Sequence, residues 1–583
     1  MFAAFGNIGV LPPPSTDTTP RVIPAPTPVR FPQCSPQSDE KVSRTRGGIS
    51  LVNLLQTIHR PTDLRLSHLE AVGVHVISDV SPRDLLPDAS YLPPLEKWNA
   101  IAQEDLLEAN EATRQPLSNG HLSPGVQTYR ERQKELLTDN TAAFRTIRRI
   151  PAPTGETAAR LGNAYEFFKN LEFFSGYWPD TSLPPKPDPS DAESKSTTDS
   201  TAEGEEKAVV PTHMQTHVPN GNGAQLPPDY RQNLLTAFVK LVAYDFGCNV
   251  SFPRTEPRLH LTPSPSPPPK PTPPPSYFNS SVSFVYRTPV ERSAARAGIV
   301  EGPVATLSAR ASTVFSNPSD ELLDLTREVV GILLTAQHRS REGKTEKRFG
   351  DGKWWTTTPR WGGGPGGAIG REGDRPEEVA VALAAGITEK LPPSSKPTAT
   401  ATSSSSSSTR EVEEAPGVKM ANEVKRQIGG LNGPSPPKRS KKGSKESAML
   451  AIYENYRKMS PPSATWDRKA RYSAIGKVPG AGYDDVFLMS ALNHHVCVVR
   501  ARVSRALLSV LEGGAEEEWE RLVVWRSRWW DLYLKEERVE AMGCVWGVMA
   551  WLMRKVEVEV EGEGEEGAGA EEGDGLVEKM DLS

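Results

Sequence analysis

The sequence predicts an α+β protein, a predominantly helical core with a few short strands, interrupted by long disordered segments. Three observations point there. Apolar residues recur at helical spacing in several windows, such as Leu234, Leu235, Phe238, Leu241 and Val242. Shorter stretches alternate with period two, as in Ser281 to Arg287. The remainder is rich in proline (54) and glycine (46), with aromatics at only 7%, so much of the 583-residue chain cannot bury enough apolar surface to offset its ordering entropy.

Taken in order, residues 1–45 are Pro/Ser/Thr-rich and read as a disordered arm. Residues 46–180 read as a helical segment that docks on the core. Within it, Gly48 to Ile58 carries Leu51, Leu54 and Leu55 in an L-x-x-L-L spelling, which can fill a partner's groove but also suits any amphipathic turn. Ala71 to Ser78 reads as a strand, and Leu95 to Trp178 as helices. One of these runs from Tyr129 to Ile150 and ends in Arg145, Arg148 and Arg149, favourable charge at a helix C-terminus. The next sets Leu161, Tyr165, Phe168 and Leu171 on one stripe, which needs an apolar partner surface.

Residues 181–227 form a polar linker. The first part of the core spans 228–392. It holds a helix from Tyr230 to Phe246, strands at Asn249 to Phe252, Ser281 to Arg287 and Gly298 to Ser308, and a helix from Asp320 to His338. A proline-rich insertion at 261–276 suits a hairpin tip, since loop-closure cost grows slowly with length. The second part spans 447–556, with helices expected at Asp484 to Leu511, Glu516 to Lys535 and Glu536 to Lys555. Residues 393–446 are a disordered insertion and 557–583 an acidic tail.

Residues 353–370, KWWTTTPRWGGGPGGAIG, concentrate the least ordinary chemistry. Trp354, Trp355 and Trp361 offer large apolar faces, and Arg360 can stack on them or fork onto an anion. These four residues are the candidate partner or ligand contacts. Gly362, Gly364 and Gly367 satisfy G-x-G-x-x-G by spelling. The preceding Thr356 to Pro359 is no buried strand, however, and no G-K-[ST] follows, so neither a dinucleotide loop nor a P-loop is indicated. Lys438, Arg439, Lys441, Lys442 and Lys445 form a basic run suited to an import receptor's acidic groove or to nucleic acid.

No metal or cofactor is expected. The four cysteines lack C-x-x-C spacing and fit a reducing compartment. His494, His495 and Cys497 cluster in sequence, yet adjacent histidines on a helix point about 100° apart. They read as core groups with hydrogen-bond partners. Arg526, among Trp519, Leu522, Trp529 and Tyr533, reads as a stacking cation. No nucleophile elbow, kinase signature set or Cys/His pair stands out. No stretch spans a bilayer, so the chain reads as soluble and intracellular, nuclear or cytoplasmic.

RLGNAYEFFKNLEFFSGYW and KWWTTTPRWGGGPGG resemble stretches of uncharacterised proteins of filamentous fungi, and the poly-Ser and proline-rich insertions fit that resemblance. It implies no activity. The expected function is a nucleocytoplasmic interaction or scaffold protein that binds an unknown protein partner through its Trp/Gly-rich stretch. The alternatives are an enzyme or small-molecule sensor with a pocket under Trp354–Gly367, and a nucleic-acid-associated protein using the basic insertion.

Overall fold

The computed structural model describes residues 27–42, 45–46, 49–183, 220–251, 257–265, 275–296, 299–310, 315–341, 358–359, 471–478, 480–514 and 518–556. All of them belong to one compact unit. Its centre is a nine-stranded mixed sheet. The main strands are β1 (Val74–Val80), β2 (Cys248–Ser251), β3 (Ser283–Arg287), β4 (Ile299–Arg310), β5 (Tyr483–Leu492), β6 (His495–Ser504) and β7 (Leu522–Ser527). They lie in the order β1-β7-β6-β5-β4-β3-β2. β1 runs parallel to β7 and β4 parallel to β5, while the other neighbours are antiparallel. Trp530–Asp531 adds a short rung beside the start of β6.

Helices cover both faces. One layer holds α1 (Val126–Leu136), α2 (Asn140–Arg148), α3 (Tyr165–Phe174), α4 (Pro228–Ala243) and α7 (Lys535–Met553). Tyr129, Phe144, Phe167, Phe238 and Trp546 of this layer share a core with Phe487, Met489, Val496 and Val498 of the sheet. Each large apolar side chain so buried contributes roughly 1.5–3 kcal/mol. Arg538 ties the layer together by donating to the Leu136 and Thr138 carbonyls at the end of α1 and to Asn140 Oδ1 of α2. The opposite layer holds α5 (Pro318–Arg339), α6 (Arg505–Leu511) and the short helices Leu51–Leu55 and Leu66–Val72. It packs on Val486, Leu488, Cys497 and Val499. Leu51 and Leu55 are 2% and 6% exposed, so the L-x-x-L-L leucines are spent on this core rather than offered to a partner.

The α+β class stands, but the core is not predominantly helical. The segment expected as one helix from Asp484 to Leu511 is the β5–β6 hairpin followed by α6. Its strands are buried along both faces, which erases the period-two alternation and leaves a continuous apolar run. Leu492 pairs with His495 across a two-residue turn, where Asn493 takes the left-handed conformation (φ 55°) that asparagine tolerates. The helix expected over Glu516 to Lys535 is likewise β7 and the Trp530–Asp531 rung, whereas the following helix forms as α7. The single helix expected over Tyr129 to Ile150 is divided into α1 and α2. Strands Arg258–Leu261 and Ser276–Asn279 pair on either side of the proline-rich insertion.

Candidate functional site

Trp354, Trp355, Arg360 and Trp361 lie outside the described residues, as do Lys438, Arg439, Lys441, Lys442 and Lys445. Of the Trp/Gly-rich stretch, Thr358–Pro359 is placed. It forms a two-residue strand parallel to Ser276–Tyr277, at the edge of the small sheet that also contains Arg258–Leu261.

The described residues bring together two polar groups that the sequence reading did not assemble. The first lies beneath α5. Asp324 and Glu328 are four residues apart and therefore share a helix face. That face is turned inward, and both carboxylates are 0% exposed. Arg310 at the end of β4 meets Asp324 (Nε–Oδ1 2.5 Å) and Glu328 (Nη2–Oε1 3.1 Å). Arg526 of β7 donates from Nη2 to Glu328 Oε2 at 2.5 Å, and Ser490 of β5 donates to Glu328 Oε1 at 2.7 Å. Arg310 completes the group by donating to the Ser490 hydroxyl.

Burial raises the Asp324 carboxyl and the charge on Glu328 adds to that, against the pull of Arg310. Burial acts on Glu328 too, but Arg526 and Arg310 outweigh it and hold its carboxyl low. A split carboxylate pair is the pattern of acid–base chemistry. Here both members are shut off from solvent, so the arrangement works as an ionic tie between one helix and three strands. Arg526 is thus an ion-pair partner of an internal carboxylate, and the guanidinium above the Trp529 ring is that of Arg310, 5.8 Å from its centroid. The neighbouring Cys497 is no nucleophile, because burial pushes its thiol up. The same holds for Cys248, pushed up to about 12 by burial.

The second group sits at the tip of the β5–β6 hairpin. His494 occupies the turn and His495 opens β6, so the two are not on a helix and the 100° divergence does not apply. Their rings lie 4.2 Å apart. Asp531, paired with His495 across the ladder, faces both, with His494 Nε2–Oδ1 at 3.9 Å and His495 Nε2–Oδ2 at 3.7 Å. Those separations are too long for hydrogen bonds. His494 is 2% exposed, yet neither of its ring nitrogens has a hydrogen-bond partner, contrary to the expectation of satisfied core histidines. Burial keeps His494 well below the usual imidazole range and brings His495 down to about 4, so both rings are neutral near pH 7. Burial raises Asp531 to about 6, against hydrogen bonds from Thr181 and the Tyr533 backbone. Among the described residues these three are the one His/Cys/acid group close enough to share an ion. The signal in sequence was the His-His pair, but Asp531 comes from the next structural unit and could not be assigned to it by spacing.

A cleft of about 360 Å³ opens elsewhere, between the end of α5, the start of β5 and α6. Ser340, Lys477, Tyr483, Asp484, Arg505 and Ser509 line it. No described helix is long and apolar enough to cross a membrane. No protein family, curated protein or solved structure matches the chain.

Proposed function

We propose that this chain is a nucleocytoplasmic interaction protein, a folded α+β core that presents its Trp/Gly-rich stretch to a protein partner. The carrying observation is the pairing of Thr358–Pro359, which lie between Trp355 and Arg360 in the sequence, with Ser276–Tyr277 at the edge of a small sheet. Segregated charge supports the same reading. The basic run Lys438 to Lys445 and the acidic residues after 556 are separate blocks that can address different surfaces. Buried charges of the core, meanwhile, are consumed by one another beneath α5.

A native pull-down tests the reading, comparing the wild type with a Trp354→Ala/Trp361→Ala variant that unfolds at the same urea concentration. A stoichiometric partner captured by the wild type alone is expected; equal capture by both removes the stretch from recognition. The nuclear component predicts that neutralising Lys438, Arg439, Lys441 and Lys442 shifts the protein toward the cytoplasm, and an unchanged distribution refutes it.

The cleft beside Tyr483 and Arg505 favours a second reading, a small-molecule sensor, because its volume is in the range of ligand pockets. It differs from a pocket under Trp354–Gly367 in being formed by α5, β5 and α6. A metabolite screen by thermal shift separates the two readings. A ligand whose effect disappears in Arg505→Ala supports the sensor.

A further inference from the structure

We propose that His494, His495 and Asp531 bind a divalent transition-metal ion, with zinc the best fit to their donor set. Two imidazole nitrogens and one carboxylate oxygen suit borderline ions such as zinc, and are poor for calcium or magnesium, which take mainly oxygen. One donor atom from each residue lies within 4.8 Å of the other two. Ligands at about 2.0–2.1 Å from a tetrahedral ion stand roughly 3.3 Å apart. His494 Nε2 stands 3.9 Å from Oδ1 and His495 Nε2 3.7 Å from Oδ2 of Asp531, so the three side chains must draw together by about half an ångström or more to share one ion.

Three further features distinguish this corner from ordinary packing. His494 is buried with both ring nitrogens unpartnered, a state that costs stability unless something accepts a lone pair. The carboxylate already has the supporting shell of a ligand: Thr181 donates to Oδ2 at 2.6 Å and the Tyr533 backbone to Oδ1 at 2.9 Å. Its own backbone N–H is held by Glu537 at 2.6 Å. Finally, the walls are aromatic. Phe31 stands edge-on to His495 at 5.0 Å, and Trp178 and Tyr533 lie 5.4 and 5.0 Å from the His494 ring. Such walls keep the imidazoles neutral and lower the local dielectric, which strengthens binding of a cation to a carboxylate.

The ion would staple the hairpin tip to the segment that enters α7. It needs no chemistry of its own, and three protein ligands leave a coordination position for water.

The test uses the full chain, expressed without a polyhistidine tag, stripped with chelator and titrated with Zn(II) and, separately, Co(II). We expect one equivalent of either ion per chain, the intense ligand-field absorption of low-coordinate cobalt, and a higher Tm with zinc. His495→Ala and Asp531→Asn should abolish saturable binding, while Thr181→Ala, which removes a support of the carboxylate, should weaken it about 10–100-fold. His121→Ala, at an exposed histidine, serves as the control and should bind as the wild type does. Failure of the folded wild type to bind either ion overturns the proposal. So does a full equivalent retained by folded His495→Ala or Asp531→Asn. Should both variants unfold, the wild-type stoichiometry and cobalt spectrum decide, and a six-coordinate spectrum counts against the site.

Discussion

Beneath α5 and at the tip of the β5–β6 hairpin the protein buries polar side chains in opposite ways, as Glu328 and His494 show. Glu328 is 0% exposed and receives hydrogen bonds from Ser490 and Arg526, with Arg310 alongside. His494 is 2% exposed and receives nothing. In the first group the Glu328 charge is answered by hydrogen bonds, whereas Asp324 faces Arg310 as an ion pair with no hydrogen bond to either carboxylate oxygen. In the second the imidazoles are neutral, and both His494 nitrogens and His495 Nδ1 are idle beside the hydrogen-bonded Asp531 carboxylate. Burial alone therefore says little about what a polar residue does; whether its lone pairs and protons are answered says more.

The contrast can be broken most forcefully at Glu328. Glu328→Ala leaves Arg310 and Arg526 buried without their shared anion, and it should lower the unfolding free energy by about 3–5 kcal/mol. Urea denaturation measures this, and a loss under about 1 kcal/mol would mean that water reaches the group. The reverse sign is expected at the hairpin tip. In metal-free protein, His494→Leu exchanges an unanswered buried polar ring for an apolar side chain and should stabilise by about 1–3 kcal/mol. A loss of stability there would show that the imidazole has a partner after all.

A third comparison uses pH. Burial, helped by Arg341, holds His260 and His338 well below the usual imidazole range. Both are therefore neutral when folded, whereas the unfolded chain takes up protons near the ordinary imidazole pKa of about 6.5. Their stabilising contribution is complete above that pH and is lost as pH falls through the window below it. Urea midpoints measured with chelator should drop between pH 7 and pH 5, and His338→Gln should flatten the slope. The smallest effect is expected at the surface. Arg528 pairs with Glu540 with 44% and 42% of the side chains exposed, so Arg528→Ala should cost under about 1 kcal/mol and less in high salt.

How legible this was in the sequence depended on exposure of each element's far side. Helix α4 was readable because its outer residues are polar enough to mark a stripe. β5 and β6 were not, because Val486, Met489, Leu492, Val496 and Val499 satisfy helical spacing as readily as they fill a strand covered on both faces. The run of valines from Val496 to Val499, interrupted by Cys497, was the available strand signal. Nothing in the spacing of Asp324 and Glu328 marks them as buried, since a helix buried all round need not be apolar all round when its charges are paired.

By itself the sequence determined local matters: the α+β class, the positions of α4, α5 and α7, the breaks at proline-rich stretches, and the His-His pair. These follow from spacing, caps and breakers within about one element's length of chain. Only the tertiary structure decided that β4 lies beside β5, that Arg526 answers Glu328, and that Asp531 faces His494 and His495. Those partners are set by which faces must be hidden together across long chain separations. No period along one segment records that choice.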